Sequence, residues 1–308
     1  MSEKWLVIGG TGHIGSELCF QLRSKGCVVH SVSRNTSLHE NHLIADVTKA
    51  DWLKLIDSNF YDFVVYCAYS NSRNLSESYN VNVDGALKLA THFEGSKLRS
   101  FVYLGSMTVF GQVPTHKVIN ESATKIPNGT YASNKAIAAQ RLMGESYTSR
   151  LNILHPTNVY SRESESIKNW KSTLSMNRIS PGKYELGVRN MVHSNDVANA
   201  IIEVSRRVVG NTNEEFIVSG EVVSWKDFFE LVSVRPPNKR ILPLFLASLT
   251  RGPFPSVLNK IGFVTPLRPP KYKLKMMACN TVFDNQKLRE MSGWVPKKTF
   301  KLEMRPEK

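Results

Sequence analysis

The sequence predicts an α/β fold, a Rossmann-like doubly wound parallel sheet with a smaller, mostly C-terminal substrate-binding lobe. The first observation is an apolar run from Trp5 that ends in Gly9, Gly12 and Gly15 and passes directly into a helical pattern. The second is an alternation of apolar runs and amphipathic stretches as far as Leu154, typical of a parallel sheet covered on both faces. We therefore expect a first domain over 1–160, joined by parts of 190–220, and a second lobe over 161–308.

Each element is expected where the residue pattern changes period. After the first apolar run, strands are expected at 27–32, 43–47 (short and buried), 61–68, 101–105, 151–154 and 216–219. After the first helix, which carries Ile14, Leu18 and Leu22 on one face, helices are expected at 79–93, 131–147 and 225–232. A further helix is expected from Asp196, with Ser194 as its N-cap. The polar stretch 161–190 predicts loop with short elements.

The composition excludes several classes of protein. With 308 residues, of which 41% are hydrophobic, the chain can bury a sizeable core, yet no apolar stretch approaches the ~20 residues that span a bilayer. No charged-then-apolar leader precedes the first strand, so we expect no secretory signal. The four cysteines include no C-x-x-C pair, which indicates thiols in a reducing compartment and predicts a cytoplasmic location.

The formal net charge of +14 is concentrated towards the C-terminus. Neither a basic stripe interleaved with aromatic residues nor a nucleic-acid-binding motif accompanies it, so we expect no nucleic-acid partner. The excess charge is either a solvated basic face or a surface that attracts phosphorylated substrates.

The glycine-rich turn predicts a site for a phosphate group. Glycine lets the backbone approach a pyrophosphate, and the amides and dipole at the start of the following helix favour its negative charge. About twenty residues further on, a dinucleotide fold places the side chain that contacts the adenosine ribose. Ser33 and Arg34 stand there in place of an acidic residue, and a guanidinium group suits a 2′-phosphate. The sequence therefore favours NADP, with NAD as the alternative.

Tyr131 and Lys135 predict acid–base chemistry, because residues four apart lie on the same face of a helix. A free phenol has a pKa near 10, so it is a poor base at neutral pH. An ammonium group beside Tyr131 would favour the phenolate and lower this pKa, and Lys135 could also bind the ribose of a nicotinamide cofactor. Ser106, at the carboxyl end of a predicted strand, could hydrogen-bond the substrate oxygen that Tyr131 protonates.

These motifs, in this order, resemble the extended short-chain dehydrogenase/reductases, the NAD(P)-dependent nucleotide-sugar epimerase/dehydratase family, over nearly the entire chain. Residues 9–15 are similar to that family's G-G-T-G-F-I-G, and residues 104–111 resemble S-S-x-x-V-Y-G, with the catalytic hydroxyl on Ser106. The 25-residue step from Ser106 to Tyr131 is similar to that of the UDP-galactose 4-epimerases. Residues 80–85 resemble N-V-x-G, 156–160 R-x-x-N-V-Y-G-P, 189–196 R-x-F-V-H-V-D-D, and 288–296 the closing L-G-W-x-P.

The resemblance implies which residues contact the cofactor and the substrate. Together with the residues already named, the cofactor-binding set is Gly9, Thr11, Gly12, His13, Ile14, Gly15, Ser33, Arg34, Asp46, Val47, Cys67, Ala68, Tyr69, Asn82, Tyr131, Lys135 and Pro156. Asn158 is implied to contact the substrate beside Ser106, Arg189 to bind the diphosphate of a nucleotide sugar, and Arg268 to be a second phosphate-binding arginine. No metal ion is expected.

The departures from the family pattern concern the substrate. Met107 and Thr108 stand where dehydratases carry Asp-Glu, so dehydration is disfavoured, and no cysteine near Thr108 supports 3,5-epimerisation. His155 replaces the expected Arg, and Ser161-Arg162 replaces Gly-Pro. These changes leave the identity of the sugar and of the nucleotide open.

The expected function is an NAD(P)-dependent oxidoreductase or epimerase that acts on a nucleotide-linked sugar, as a 4-ketoreductase or a 4-epimerase. The resemblance places such enzymes in cell-surface polysaccharide biosynthesis. One alternative is a catalytically silent NADP-binding sensor or regulatory protein. Another is an enzyme for a lipid-linked sugar, with residues 241–267 on an anionic membrane surface. Family members pair through two helices, here 81–93 and 132–147, so the resemblance also implies a homodimer.

Overall fold

The computed structural model describes residues 2–37, 39–49, 51–111, 117–145, 149–179, 187–207, 213–232, 240–241, 263–267 and 277–305. The strands are β1 (Lys4–Ile8), β2 (Val28–Ser33), β3 (His42–Ile44), β4 (Phe63–Tyr66), β5 (Ser100–Leu104), β6 (Val118–Ile119), β7 (Arg150–Pro156), β8 (Asn158–Tyr160), β9 (Asn177–Ile179), β10 (Val188–His193), β11 (Glu214–Val218), β12 (Glu221–Ser224), β13 (Arg240–Ile241), β14 (Phe263–Leu267) and β15 (Val282–Phe283). The helices are α1 (His13–Ser24), α2 (Leu75–Tyr79), α3 (Gly85–His92), α4 (Thr130–Gly144), α5 (Glu165–Met176), α6 (Ser194–Arg207), α7 (Trp225–Val232), α8 (Gln286–Ser292) and α9 (Phe300–Glu303). Two 3₁₀ turns, Trp52–Leu55 and Met107–Phe110, and a π turn, Asn80–Asp84, complete the described elements.

The central sheet has seven strands in the order β11-β7-β5-β4-β1-β2-β3. Every neighbouring pair in it is parallel. The chain runs outwards from β1 in one direction through β2 and β3 and in the other through β4, so the strand order reverses between β1 and β4. Ligands of open α/β sheets bind at the carboxyl ends of the strands beside such a reversal. The predicted doubly wound α/β fold is confirmed.

Helices cover both faces of this sheet because successive side chains of each strand point to opposite faces. In β1, Trp5 and Val7 pack in one core with residues of α1, α6 and α8. Leu6 and Ile8 pack in a second core with residues of α3 and α4. Burial on both faces explains why the central strands are continuous apolar runs rather than alternating ones.

A second group of elements lies beyond β7. It contains a sheet in the order β12-β10-β8, a sheet β13-β14-β9 and the pair β15-β6. Tyr160, Trp225, Phe228 and Phe300 share a core in this region. Near the C-terminus, Trp294 packs instead with the residues of the β1 core. The division of the chain near residue 160 stays a prediction.

Three sequence expectations are wrong in detail. The strand expected at 43–47 ends at Ile44 and is not buried: Ile44 is 60% exposed, because β3 is the last strand of the sheet. The stretch 161–190 contains the 12-residue helix α5, whose Trp170 packs against Trp225. Ser194 is the first residue of α6 rather than its N-cap, and the N–H of Asn195 donates to His193 Nδ1 at 3.1 Å.

The helix expected at 79–93 begins earlier and is interrupted. The side chain of Asn74 accepts a hydrogen bond from the N–H of Glu77 and starts α2 at Leu75. The π turn separates α2 from α3, which ends at His92.

Of the residues proposed to lie on a membrane, only 241 and β14 are described, and Arg268 lies outside the described residues.

Candidate active site

A cleft of about 650 Å³ opens at the carboxyl ends of the central strands. Its walls are the turn after β1, the segments that follow β2 to β5, the start of α4 and the end of β7. The predicted residues that line it are Gly9, Thr11, Gly12, His13, Ile14, Gly15, Ser33, Arg34, Asp46, Val47, Cys67, Ala68, Tyr69, Ser106, Tyr131, Lys135 and Pro156. The structure therefore brings together residues that are up to about half the chain apart.

The turn after β1 forms a narrow backbone cradle. Gly9 has a φ of +84°, a conformation that L side chains rarely adopt. A Cβ added to Gly15 would collide with the Gly9 carbonyl oxygen, and one added to Gly12 would lie 3.2 Å from the same oxygen. No side chain caps α1 at Gly12, so its first amides and the positive end of its dipole adjoin the cleft. This cradle fits the pyrophosphate of a dinucleotide.

At one end of the cleft, polar side chains follow β2. The Thr11 hydroxyl donates to Ser33 Oγ at 3.0 Å, and the Ser33 hydroxyl donates to the Asn35 carbonyl oxygen at 2.9 Å. Arg34 lies 3.8 Å from a carboxylate oxygen of Glu77 and remains 62% exposed. The guanidinium group is thus accessible to a ligand, and the carboxylates of Glu77 and Asp46, which interact with it, belong to other elements.

Asp46 lines the same end of the cleft as an anion. Burial alone would raise the pKa of its carboxyl, but hydrogen bonds from the Thr48 N–H, at 2.9 Å, and hydroxyl, at 2.8 Å, outweigh burial and lower this pKa. Both bonds go to Oδ1. Oδ2 is left to accept a donor from a ligand.

The three candidate catalytic residues meet at the other end of the cleft. Ser106 follows β5, and Tyr131 and Lys135 lie in the first turns of α4. Ser106 Oγ accepts the N–H and the hydroxyl of Thr108 at 3.3 and 3.0 Å, and it hydrogen-bonds Tyr131. Lys135 Nζ donates to the Leu104 carbonyl oxygen at 2.7 Å. Thr108 was not predicted as a partner of Ser106, although its hydroxyl two residues on was the available signal.

Burial, rather than mutual charge, sets the protonation of this group. Burial raises the pKa of Tyr131 to about 12, with the Ser106 hydrogen bond acting in the opposite direction and Tyr69 adding to the rise. Burial also lowers the pKa of Lys135 to about 7. The lowering expected from Lys135 is not among the causes that shift the pKa of Tyr131, and Tyr131 is a neutral phenol at neutral pH.

Asn82 lies behind the cleft rather than in its wall. Its Nδ2 donates to the Ser70 carbonyl oxygen at 2.6 Å, and its Oδ1 accepts the Ser70 N–H at 3.0 Å. Ser70 itself lines the cleft. Asn82 therefore holds the segment after β4 in place, and its contact with the cofactor stays a prediction.

A second cavity, of about 310 Å³, begins beside Met107 and Thr108. The predicted substrate residues Asn158 and Arg189 both line it, and Arg189 Nη2 donates to Asn158 Oδ1 at 3.1 Å. The Arg189 guanidinium carbon lies 4.3 Å from the Trp225 ring centroid and 4.5 Å from that of Phe228.

Burial lowers the pKa of Arg189 to about 10, still well above neutral pH, so this side chain is a buried cation. No salt bridge is recorded for Arg189 within the described ranges, and its Nε has no hydrogen-bond partner there. The aromatic residues around Arg189 were missed as a site, because the spacing of Trp225 and Phe228 predicted only the apolar face of a helix.

Two of the departures from the family pattern, Arg162 and His155, have defined surroundings in the structure. Arg162 donates from Nε and Nη2 to the carbonyl oxygen of Glu303, the last residue of α9, at 3.1 and 2.6 Å. His155 is fully buried directly behind Ser106. Neither side chain lines the cleft or the second cavity.

Comparison with known proteins identifies the family. The model of the NAD dependent epimerase/dehydratase family matches residues 5–219, and the chain belongs to this family. The UDP-glucose 4-epimerase of Yersinia pestis is 26% identical over an alignment of 157 residues that covers 44% of this chain and 46% of that one. The chain thus spans about half the length of the first curated relatives it matches.

Solved structures share the fold at low identity. MoeE5 in complex with UDP-glucuronic acid and NAD has a TM-score of 0.74 at 16% identity, over 98% of this chain and 96% of that one. The UDP-glucuronic acid 4-epimerase of Bacillus cereus in complex with NAD has a TM-score of 0.74 at 16% identity, over 99% and 97%. The predicted relationship to the extended short-chain dehydrogenase/reductases is confirmed.

The described residues hold neither a membrane-spanning helix nor a cluster of metal ligands. None of their helices is long and apolar enough to cross a membrane. Within the same ranges, no cluster of three or more His, Cys, Asp or Glu side chains could hold a metal ion.

Proposed function

We propose that the protein acts on a nucleotide-linked sugar by reversible hydride transfer with NAD or NADP, as a 4-epimerase or, second, as a 4-ketoreductase. One observation carries the proposal. Ser106, Tyr131 and Lys135 line the cleft that contains the pyrophosphate cradle, and Met107 and Thr108, which directly follow Ser106, line the cavity that contains the buried cation Arg189. A dinucleotide in the first and a nucleotide sugar in the second would bring their reactive carbons to these three residues.

The residues present fit a nicotinamide dinucleotide. The glycine turn would hold its pyrophosphate, and Ser33, Arg34 and Asp46 would contact its adenosine half. When bound, the nicotinamide would take a hydride from the sugar carbon or return it. Lys135, in the cleft wall beneath Ser106, would contact the nicotinamide ribose.

Tyr131 would exchange the proton of the reacting hydroxyl. As a neutral phenol with a pKa of about 12, it is ready to donate a proton to a developing alkoxide. Ser106 Oγ accepts the N–H and hydroxyl of Thr108, and when a substrate binds, its own hydrogen would be donated to the same oxygen instead of to Tyr131. In the oxidising direction, a bound cofactor and the Lys135 ammonium would supply the positive charge that favours the phenolate.

Arg189 would bind the diphosphate of the substrate. A buried cation lowers its free energy by pairing with an anion, and the described residues around Arg189 are aromatic rings and amides. Trp225 and Trp170, which line the same cavity, offer flat surfaces for the nucleotide base. This arrangement supports a nucleoside diphosphate sugar rather than a simple sugar.

Two observations favour different members of this class. Two curated relatives are UDP-glucose 4-epimerases, which favours a UDP-hexose 4-epimerase. Such an enzyme would retain its cofactor and show no net redox change. Ser33 and the exposed Arg34 favour NADPH and hence a ketoreductase, because a guanidinium group suits a 2′-phosphate.

A redox-neutral assay separates the two. The purified protein is incubated with UDP-glucose, UDP-galactose or UDP-N-acetylglucosamine, with and without NAD or NADPH, and the sugars are resolved by anion-exchange chromatography. Isomer formation without net oxidation of NADPH supports the epimerase. Reduction of a UDP-4-keto sugar with stoichiometric loss of NADPH supports the ketoreductase. The absence of both activities would contradict the proposal and favour the catalytically silent sensor.

Tyr131→Phe tests the acid–base assignment. Loss of the phenol removes the proton donor, so kcat should fall by at least about 100-fold while the protein stays folded and binds cofactor. Steady-state kinetics and cofactor titration measure the two effects. Tyr79→Phe is the matched control, since the Tyr79 hydroxyl lies outside the cleft, 3.5 Å from Arg141 Nη1. Unchanged kcat in Tyr131→Phe would refute the assignment.

Arg34→Gln tests the choice of cofactor. If Arg34 binds the 2′-phosphate, the KM for NADPH should rise by about 10- to 100-fold, the value of one charge-assisted contact, while the KM for NADH hardly changes. Lys49→Gln removes a nearby exposed cation that does not line the cleft and controls for general charge. Equal changes for both cofactors would favour NAD as the natural one.

The remaining expectations belong to the same proposal. A cytoplasmic enzyme agrees with the buried thiols of Cys19 and Cys67.

A homodimer would pair α3 and α4, which lie side by side on one face of the central sheet. On that face Ile137 is 37% exposed, and light scattering of the purified protein would report the oligomeric state.

A further inference from the structure

His155 connects the backbone of Ser106 to a partly buried ion pair between Glu215 and Lys125. It stands on β7 beside β5 and is fully buried, with its ring edge against Phe110. Its Nδ1 lies 3.2 Å from both the nitrogen and the carbonyl oxygen of Ser106. Its Nε2 lies 3.8 Å from Glu215 Oε2 and has no hydrogen-bond partner within the described residues.

The hydrogen bonds of the Ser106 peptide groups select one tautomer. The Ser106 carbonyl oxygen already accepts the N–H of Val109 at 3.2 Å. The buried Ser106 N–H needs an acceptor, and the one recorded for it is His155 Nδ1. A lone pair on Nδ1 places the hydrogen of a neutral imidazole on Nε2, facing Glu215.

Glu215 favours the same tautomer from the other side of the ring. Both of its carboxylate oxygens accept Lys125 Nζ at 2.6 Å. Burial alone would raise the pKa of Glu215, but His155 and Lys125 outweigh it and lower this pKa to about 2. An Nε2–H faces this anion favourably, whereas a lone pair on Nε2 would face it unfavourably. Glu215 and Lys125 are the charged groups recorded beside the ring, since Phe110, Gly105 and Ser106 are uncharged.

We propose that His155 is a positioning residue for Ser106, held by Glu215 in the Nε2–H tautomer so that Nδ1 fixes the Ser106 N–H. The inference rests on the catalytic role proposed for Ser106. Protonation of His155 would remove the acceptor for that N–H and turn Nδ1 into a donor towards the Ser106 carbonyl oxygen. The Ser106 peptide, and with it the hydroxyl, would then shift.

Gly105 gives independent support, because the absence of a side chain at this position leaves room for the His155 imidazole. The family pattern has Ser at position 105 and Arg at position 155, whereas this chain has Gly and His. A Cβ on Gly105 would lie 2.5 Å from His155 Nδ1 and 2.8 Å from Cε1. The imidazole therefore occupies the space of the missing serine side chain, so the two departures accommodate each other.

The tautomer is measured without any assumption about activity. In protein labelled with ¹⁵N-histidine, long-range ¹H–¹⁵N correlation identifies the ring nitrogen that carries hydrogen, and His155→Asn assigns the signal by its loss. We expect the Nε2–H form at neutral pH. An Nδ1–H form at neutral pH would overturn the proposal.

Two amide variants of His155 give a kinetic test. They are compared on whichever UDP-sugar the redox-neutral assay shows to be a substrate. The Asn amide reaches the position of Nδ1 and the Gln amide that of Nε2, so His155→Asn keeps an acceptor for Ser106 and His155→Gln does not. We expect kcat within about 3-fold of wild type for His155→Asn and a fall of about 10- to 100-fold for His155→Gln, with little change in KM. Equal losses in both variants would overturn the proposal.

Variants of the ion pair complete the experiment. Glu215→Gln should reduce the Nε2–H population in the NMR spectrum and lower kcat, while Lys125→Gln, which leaves the carboxylate in place, should do so less. If Lys125→Gln matches Glu215→Gln in both measurements, Glu215 does not select the tautomer.

A failure of the proposed function is distinguishable, since it would appear as full turnover in Ser106→Ala and would leave the NMR results unchanged.

Discussion

Lys135 lies at a position where its charge is costly. The side chain is 2% exposed, and its recorded contacts are the Leu104 carbonyl oxygen and the face of Tyr103, 4.6 Å from Nζ. Burial lowers its pKa to about 7, and Cys67 opposes this shift only in part. A residue that serves a proposed reaction is thus held in an environment that destabilises its ionised form.

The stability of the folded protein should depend on pH through this side chain. The unfolded chain keeps the Lys135 proton up to about 10.5, whereas the folded protein releases it near 7. Between these values the unfolded state binds more protons, so stability rises with pH, and the full cost of burial is present below about pH 7.

Lys135→Met should therefore stabilise the protein while it impairs turnover. At pH 6 the free energy of unfolding should increase by on the order of 2–4 kcal/mol, and the gain should largely vanish by pH 9.5. Urea unfolding at the two pH values measures this difference. Lys88→Met, at an exposed position of α3, is the control and should show no such dependence. Equal effects of Lys135→Met at both pH values would mean that Lys135 stays charged when folded.

At the scale of elements, the π turn Asn80–Asp84 is stabilised from the sheet below it. A π turn changes the backbone hydrogen bonds of a helix, and such turns are frequent at functional sites. Here the hydroxyl of Tyr66 donates to the Val81 carbonyl oxygen at 2.6 Å, and that of Tyr103 to the Asn82 carbonyl oxygen at 2.8 Å. Val81 lines the cofactor cleft, so two buried tyrosines determine the shape of one of its walls.

Gly85→Ala should reveal this arrangement. In most helices this change is stabilising, but here a Cβ would collide with the Tyr66 hydroxyl oxygen. We expect a loss of about 1–3 kcal/mol for Gly85→Ala, and a similar loss for Tyr66→Phe, which leaves the Val81 carbonyl unsatisfied.

The double variant is the critical measurement. Gly85→Ala with Tyr66→Phe should be no less stable than Tyr66→Phe alone, because the second change removes the atom with which the first collides. Thermal unfolding of the four proteins gives the coupling energy. Gly144→Ala, in a helical position with open space around it, is the control and should be neutral or stabilising. Additive losses in the double variant would show that Tyr66 is not the obstacle.

At the scale of the whole molecule, the C-terminal segment closes the core of the central sheet. Trp294 is 1% exposed and packs in the core that contains Trp5. Its indole N–H donates to the Asp196 carbonyl oxygen at 3.0 Å. The Asp196 carboxylate accepts the N–H of Lys297 at 3.0 Å and that of Lys298 at 2.9 Å. One buried aspartate at the start of α6 therefore holds a segment about one hundred residues later.

Asp196→Asn should loosen this segment. The amide retains one acceptor but presents a donor to the second N–H, so we expect a loss of about 2–3 kcal/mol and faster proteolysis near residues 293–298. Thermal unfolding and limited proteolysis followed by mass spectrometry measure both effects. Asp227→Asn is the control: it removes an exposed carboxylate, 3.0 Å from Lys301 Nζ, and should change stability by less than about 1 kcal/mol. Similar effects in the two variants would argue against a special role of Asp196.

Much of this organisation was predictable because it depends on local spacing. The central strands are continuous apolar runs, and their burial on both faces requires such runs. Helix α7 was predicted with its observed bounds because its apolar face is regular. Helix α5 was missed because it is polar on most of its surface and its Trp170 finds its partners, Trp225 and Phe228, only in the folded chain.

The sequence by itself determined the order of the fold and the positions of the glycine turn and of Ser106, Tyr131 and Lys135, because short-range spacing and residue type specify them. The tertiary structure decided their chemistry. It raised the pKa of Tyr131, lowered that of Lys135 and left Arg189 as a buried cation, because burial and hydrogen bonds come from residues distant in the chain. It also placed His155 behind Ser106, forty-nine residues away, since only the pairing of β5 with β7 brings them together.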